Sequence, residues 1–173
     1  DRVVDELIAR GMRPWICLCY GNDLYTESAK QVFGAVGCPP IFTDEEKTAW
    51  ANYVRATVRH FAGRVTHYEI WNEPDGNEPS TGENEMWTGT AEQYYAEEYG
   101  RFAHDTAKAI REVSDDAFII GGSVCMIWDL SYMDTALSAG MAGSVDAVTF
   151  HEYTADETAL YTHVPALEAL IHL

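Results

Sequence analysis

Four short apolar runs, residues 13–19, 65–71, 117–122 and 145–151, punctuate the chain, and each is followed by a segment with helical spacing. This alternation constrains the fold more than any other feature. Strands separated by helices cannot pair as hairpins. Each helix carries the chain back along the sheet, so successive strands lie parallel.

Details of the intervening segments fit this reading. Residues 1–10 carry Val3, Val4, Leu7 and Ile8 in helical register, and Gly11 suits the end of that helix. Thr43 and Glu46 form a capping box before a helix whose stripe is Trp50, Tyr53, Val54, Val58 and Phe61, and Gly63 ends it. Thr90 and Gln93 form a second capping box, opening a long helix with Tyr95, Tyr99, Phe102, Thr106 and Ile110 on its buried stripe. A shorter helix is expected over 132–139, and 166–173 is again helical. The long polar loops, 20–43 and 74–89, both follow strands, whereas helix-to-strand joins are short. Two architectures fit: a doubly wound open sheet, or part of a (β/α)₈ barrel. In both, function sits at the C-terminal ends of the strands. The 173 residues fall short of the ~250 typical of a complete barrel. Helical spacing at both ends therefore reads as one domain, 1–173, truncated at each end.

Composition removes several functions. A hydrophobic content of 47% argues against disorder. The 11 basic and 28 acidic residues give a net charge of −17, which opposes binding to nucleic acid or to an anionic membrane. No apolar run is long enough to span a bilayer and no signal peptide is read. Localisation stays open, with a secreted parent among the options. Cys17, Cys19, Cys38 and Cys125 have no metal-type spacing. Cys17 and Cys19 face one side of a strand but sit too far apart to bridge easily, so free buried thiols are expected. His151-Glu152 is not followed by a second histidine at 155, which removes the zinc-protease helix. Residues 121–125, Gly-Gly-Ser-Val-Cys, approach a nucleophile elbow but lack its last glycine and its immediate helix. Phosphate-binding and dinucleotide-binding glycine motifs are absent as well. No cofactor or metal is expected.

What remains lies at strand ends. Tyr20 and Asn22 follow the first strand, Asn72 and Glu73 the second, Trp128 the third, and His151 and Tyr153 close the fourth. Parallel strands bring these groups to one rim. Asparagine, glutamate, histidine and tyrosine among aromatic rings suit the recognition of many hydroxyls. Partial desolvation in such a site favours the protonated carboxyl, which is what protonating a glycosidic oxygen needs. Trp87 in the second long loop is either a lid anchor or a platform for a sugar face. Against this stand plainer readings: a strand-end glutamate is more often a solvated charge, and a strand histidine more often a satisfied structural group.

Trp71-Asn72-Glu73-Pro74 at a strand end resembles the acid/base motif of clan A glycoside hydrolases. His151-x-Tyr153 is similar to the pair on the sixth strand of their barrel. Residues 18–22, then 42–46, then the helix into residues 68–76, resemble the family 39 branch and its relatives, which include β-xylosidases. The resemblance covers nearly the whole chain. It implies an eight-stranded barrel of which this chain supplies the third to sixth strands, and a retaining mechanism with two carboxylates. Glu73 would be the general acid/base, Asn72 would hold the sugar 2-hydroxyl, and His151 and Tyr153 would line the pocket. The nucleophile, a glutamate at the end of the seventh strand, would lie beyond Leu173. An oligosaccharide or polysaccharide is the implied substrate, and the remaining barrel strands are the implied partner. Glu152 alternates with His151 and Tyr153 and is expected to point away from them, so it is no substitute nucleophile. The chain alone is expected not to hydrolyse glycosides. The competing readings are a non-catalytic carbohydrate-binding or scaffold segment, and an unrelated open α/β sheet in which 71–74 form only a turn.

Overall fold

A computed structural model describes residues 1–22, 24, 39, 43–75, 96–125, 127–153 and 156–172. The chain enters through α1 (Arg2–Ala9) and then alternates: β1 (Trp15–Leu18), α2 (Asp44–His60), β2 (His67–Ile70), α3 (Ala96–Arg111), β3 (Phe118–Val124), α4 (Ser131–Ala136), β4 (Ala147–Phe150) and α5 (Leu160–Ile171). A wider turn, Leu137–Met141, extends α4, and a single 3₁₀ turn, Glu157–Ala159, leads into α5.

All four strands are parallel and their order in the sheet is their order in the chain. That order separates the two architectures. A doubly wound sheet reverses its strand order partway. A monotonic order with right-handed crossovers puts every helix on one face, as in a barrel wall. Neighbouring helices pack accordingly, α2 against α3 and α3 against α4.

Local chemistry explains the elements. The Thr43 hydroxyl accepts from the Glu46 N–H, and the Glu46 carboxylate accepts from the Thr43 N–H, both at 3.1 Å. This is the capping box expected from the sequence. The box at Thr90 and Gln93 lies outside the described residues. Gly63, at φ 75°, lets the chain leave α2 and turn into β2. On α2, Trp50, Val54 and Val58 are buried, but Tyr53 is 43% exposed. It falls at the edge of the stripe, where its ring packs on Trp50 at 5.3 Å and leaves its other flank open. α1 buries no residue, and Val3 is 68% exposed.

The core between sheet and helices holds Leu18, Val54, Val58, Tyr68, Ile70, Ile110 and Ile119, all at 1% exposure or less. Trp50 joins α2 to α3, stacking obliquely on Phe102 at 5.1 Å and donating to the Thr106 hydroxyl at 2.9 Å. The opposite face of the sheet is different. Cys17 pairs with Glu69, and Glu69 with Ile120, giving a row that includes a carboxylate only 7% exposed. At the strand N-termini, Arg111 on α3 reaches across to Asp146 with contacts of 2.8 and 2.9 Å and to the Ala117 carbonyl at 2.8 Å. Asp146 in turn accepts from the Ile119 N–H at 2.7 Å. That end of the sheet is thereby closed, and the C-terminal end carries the polar groups.

Candidate active site

β2 stops because its next residues leave extended geometry. Trp71 has φ 65° and Glu73 φ 49°, both left-handed and both non-glycine. Such a residue costs about 1–3 kcal/mol and persists only where its surroundings enforce it. Here the enforcement is visible. The Trp71 ring is fully buried, edge-on to Trp50 at 5.7 Å and to Phe102 at 6.0 Å. Its N–H donates to the Leu18 carbonyl at 2.9 Å, and its carbonyl accepts from the Cys17 thiol at 3.2 Å. Two residues on, the Glu73 N–H donates to the Ser123 carbonyl at 2.8 Å. Pro74 and Asp75 are buried behind it. The Asp75 carboxylate accepts from the Cys125 N–H at 2.8 Å, which ties this loop to the end of β3.

With the backbone so held, the Glu73 carboxylate meets His151. Its Oε1 lies 2.9 Å from His151 Nδ1, and the two side chains are 15% and 29% exposed. The pair is assembled from residues 78 positions apart. His151 is anchored by its own N–H, which donates to the Val124 carbonyl at 2.7 Å. Its Nε2 stands 3.5 Å from the Ser123 hydroxyl.

Below the pair runs a second polar line. Thr149 donates its hydroxyl proton to Glu69 Oε1 at 2.7 Å and accepts from the Ser123 N–H at 3.2 Å. The Tyr99 hydroxyl sits between β2 and β3, donating to the Ile70 carbonyl and accepting from the Gly122 N–H, each at 2.9 Å. Burial pushes the Tyr99 phenol well above its ordinary range, so the hydroxyl keeps the proton it donates.

The other residues singled out in the sequence are spread more widely. Asn72 is half-buried beside Glu73. Tyr20, at φ 75°, is 58% exposed and Trp128 is 56% exposed. The Asn22 side chain accepts from the Leu24 N–H at 2.9 Å, so it braces its own loop. Tyr153 is 79% exposed. It does not share the enclosed position of His151, because β4 ends at Phe150 and strand alternation no longer fixes its direction. Trp87 lies outside the described residues. Glu152 does point away: its side chain, 3% exposed, lies 3.4 Å from His163 on α5. Cys17, Cys19 and Cys125 are free, and they are half-buried rather than buried; Cys38 lies outside the described residues. Among the described residues, no cluster of three or more His, Cys, Asp or Glu could hold a metal ion, and no helix is long and apolar enough to cross a membrane.

Sequence reasoning missed Thr149, Asp75 and Glu69, weighed Ser123 only as a nucleophile, and placed Tyr99 only in the core stripe. Two of these left a signal. Glu69 is a carboxylate inside an apolar strand, and Tyr99 is a hydroxyl at a position where leucine would fill the stripe. Thr149 left none, and the elbow-like run around Ser123 gave no hint of its contacts, because both depend on strands meeting.

Comparison with known proteins fits this geometry. Over residues 1–170 the chain matches the glycosyl hydrolases family 39. A β-xylosidase of Caldicellulosiruptor saccharolyticus is 27% identical over 167 residues, which cover 90% of this chain and 30% of that protein. A monomeric β-xylosidase from Caulobacter crescentus superposes with a TM-score of 0.70 at 20% identity, covering 99% of this chain and 37% of its own. The family 39 enzyme of Xanthomonas axonopodis pv. citri gives 0.70 at 21% identity, covering 99% and 36%. The chain thus spans about a third of the length of these relatives, and its four strands and their helices are part of a TIM barrel. The chain belongs to glycosyl hydrolase family 39.

Proposed function

We propose that Glu73 is the general acid/base of a retaining β-glycosidase whose nucleophilic carboxylate comes from outside residues 1–173. The observation that carries this reading is the Glu73–His151 contact: a largely enclosed carboxylate, held in left-handed backbone and hydrogen-bonded to an imidazole at the strand C-terminal rim. A solvated strand-end charge needs none of these supports. Retaining hydrolysis uses two carboxyl groups about 5–5.5 Å apart across the sugar. In the first step the nucleophile attacks the anomeric carbon while Glu73 gives its proton to the departing oxygen. In the second, Glu73 takes a proton from water as the hydroxyl displaces the nucleophile.

Asn72 would donate to the 2-hydroxyl beside the reacting carbon. Tyr20, Trp128 and Tyr153, each more than half exposed, would serve as rim contacts for further sugar units, with Asn22 bracing the loop of Tyr20. Trp87, outside the described residues, would be a platform for a sugar face. Xyloside is the substrate class suggested by the relatives named β-xylosidases, and a β-linked glycan is the partner this implies. Residues 1–173 are then one segment of a single catalytic domain.

The test uses the complete polypeptide that carries this segment. Glu73→Gln should slow alkyl β-xylosides by ~10²–10⁴-fold, the usual worth of general acid help. Activated aryl β-xylosides, which leave with little protonation, should lose far less in the first step. Equal loss on both substrates would refute the acid/base role. Sugar binding without turnover in the unaltered protein would return the non-catalytic reading.

A further inference from the structure

Ser123 is placed with unusual care for a residue outside the pair. β3 and β4 shift register between Gly122 and Val124, so Ser123 sits on a bulge. Bulges re-aim a side chain and are common beside active sites. Ser123 has φ 51° and is fully buried, a conformation that glycine adopts without strain. Its N–H is held by Thr149, whose single proton is committed to Glu69. Its carbonyl receives the Glu73 N–H at 2.8 Å. One residue therefore touches the backbone of Glu73 and the ring of His151. Its hydroxyl lies 3.5 Å from His151 Nε2, a long contact of the kind that tightens when a site is occupied.

The tautomer of His151 decides which oxygen of Glu73 can act as an acid. If Nδ1 carries the hydrogen, it donates to Oε1, and the acidic proton of Glu73 must sit on Oε2, the oxygen left for a substrate. If Nδ1 is bare, the Glu73 proton is drawn onto Oε1 and toward the ring, away from the leaving group. The hydrogen bond at one imidazole nitrogen sets the state of the other. A donor at Nε2 selects the first arrangement, and the Ser123 hydroxyl is the side chain at that nitrogen.

We propose that Ser123 is a positioning residue: by donating to His151 Nε2 it holds the Nδ1–H tautomer and so directs the acidic proton of Glu73 to Oε2. This rests on the acid/base reading of Glu73. It also explains why a serine occupies a left-handed position that suits glycine.

Ser123→Gly is the decisive variant, because it removes the hydroxyl and relieves the backbone at once. In the complete polypeptide its melting temperature should stay level or rise. Its kcat/KM on an alkyl β-xyloside should fall about tenfold, a fraction of the ~10²–10⁴ that general acid help is worth. On 4-nitrophenyl β-xyloside it should change by less than about twofold, since little protonation is needed there. The direct readout is ring-¹⁵N histidine labelling, with His151 assigned by substitution. The unaltered protein should show a protonated Nδ1 and a bare Nε2, and Ser123→Gly should lose that fixed pattern. A protonated Nε2 in the unaltered protein, or an unchanged pattern in Ser123→Gly, would overturn the proposal. Loss of the pattern in Ser123→Gly, together with a Glu73→Gln variant equally slow on both xylosides, would leave Ser123 as the anchor of His151 and remove the acid/base reading alone.

Discussion

Removing one oxygen from Tyr99 should loosen the rim on which Glu73 stands. Direct pairing of β2 with β3 runs through Glu69 and Ile120. At the next rung the strands are joined instead by the Tyr99 hydroxyl, 2.9 Å from both the Ile70 carbonyl and the Gly122 N–H. Tyr99→Phe keeps the ring and its packing on Phe102 and Tyr132, but strips both backbone groups of this partner. Tyr99 is only 4% exposed, so water is poorly placed to replace it. A buried polar group left unpaired costs about 1–3 kcal/mol. Two such groups sharing one relaxation should cost about 2–4 kcal/mol together. Urea unfolding of the complete polypeptide should show the unfolding free energy falling by that amount, read as a lower midpoint at unchanged slope. Amide exchange at Gly122 and Ser123 should quicken as the strands splay. A loss under ~0.5 kcal/mol, the range of an ordinary surface change, would refute the idea that the hydroxyl serves as a rung.

Two further outcomes can be checked on the same protein. Gly100→Ala, which in most helices stabilises by about 1 kcal/mol, should here destabilise, because the added carbon runs into the Ala136 carbonyl and sits 2.8 Å from the Ala139 methyl; a raised melting temperature would contradict the close α3–α4 packing. Among the three described cysteines, iodoacetamide near neutral pH should label Cys19 first: its thiol is lowered by Cys17, whose S–H can turn from the Trp71 carbonyl to a Cys19 thiolate, while Cys17 is pushed up by that pairing and by burial, and Cys125 by burial and the Asp75 carboxylate. Thiolate fraction sets the rate, so equal labelling of all three by mass spectrometry would contradict the ordering.

The wall of the barrel was legible because its signals are local. The Thr43–Glu46 box, the apolar runs and the glycines after α1 and α2 are each set by neighbours a few residues away. They appear in the structure within a few positions of where the sequence puts them. Strand order was not legible from periodicity, which is the same in an open sheet and in a barrel; the family resemblance pointed to the barrel. Tyr53 shows the limit of periodicity on one helix: its spacing fits the stripe, yet it falls at the stripe's edge, with its ring on Trp50 and 43% of the residue exposed. At the site, strand-end position marked both Glu73 and His151, and the resemblance gave them roles. Their 2.9 Å contact depends on β2 and β4 being held by β3 between them. Ser123 and Thr149 belong to that middle ground, and no short-range pattern announces their contacts.

The two ends of the sheet handle left-handed backbone in opposite ways. At the entry to β1, β2 and β4 the positions are Gly11, Gly63 and Gly143, each with φ near 75° and open space where a side chain would go. Those turns are conformationally cheap and could be kept by composition alone. At the exit end, every left-handed non-glycine residue among those described is found: Tyr20 after β1, Trp71 and Glu73 after β2, and Ser123 in β3. At about 1–3 kcal/mol each, four such residues cost a sum comparable with the whole stability of a domain, about 5–15 kcal/mol. Backbone preference cannot sustain that, so side chains must: the Trp71 ring wedged against Trp50 and Phe102, the Tyr99 rung, Thr149 on the Ser123 N–H, and Asp75 on the Cys125 N–H. A rim held this way has few alternative arrangements of similar energy, because relaxing one residue strands the partners of the next. Rigidity of that kind suits the acid/base role proposed for Glu73, whose proton would have to point in one direction.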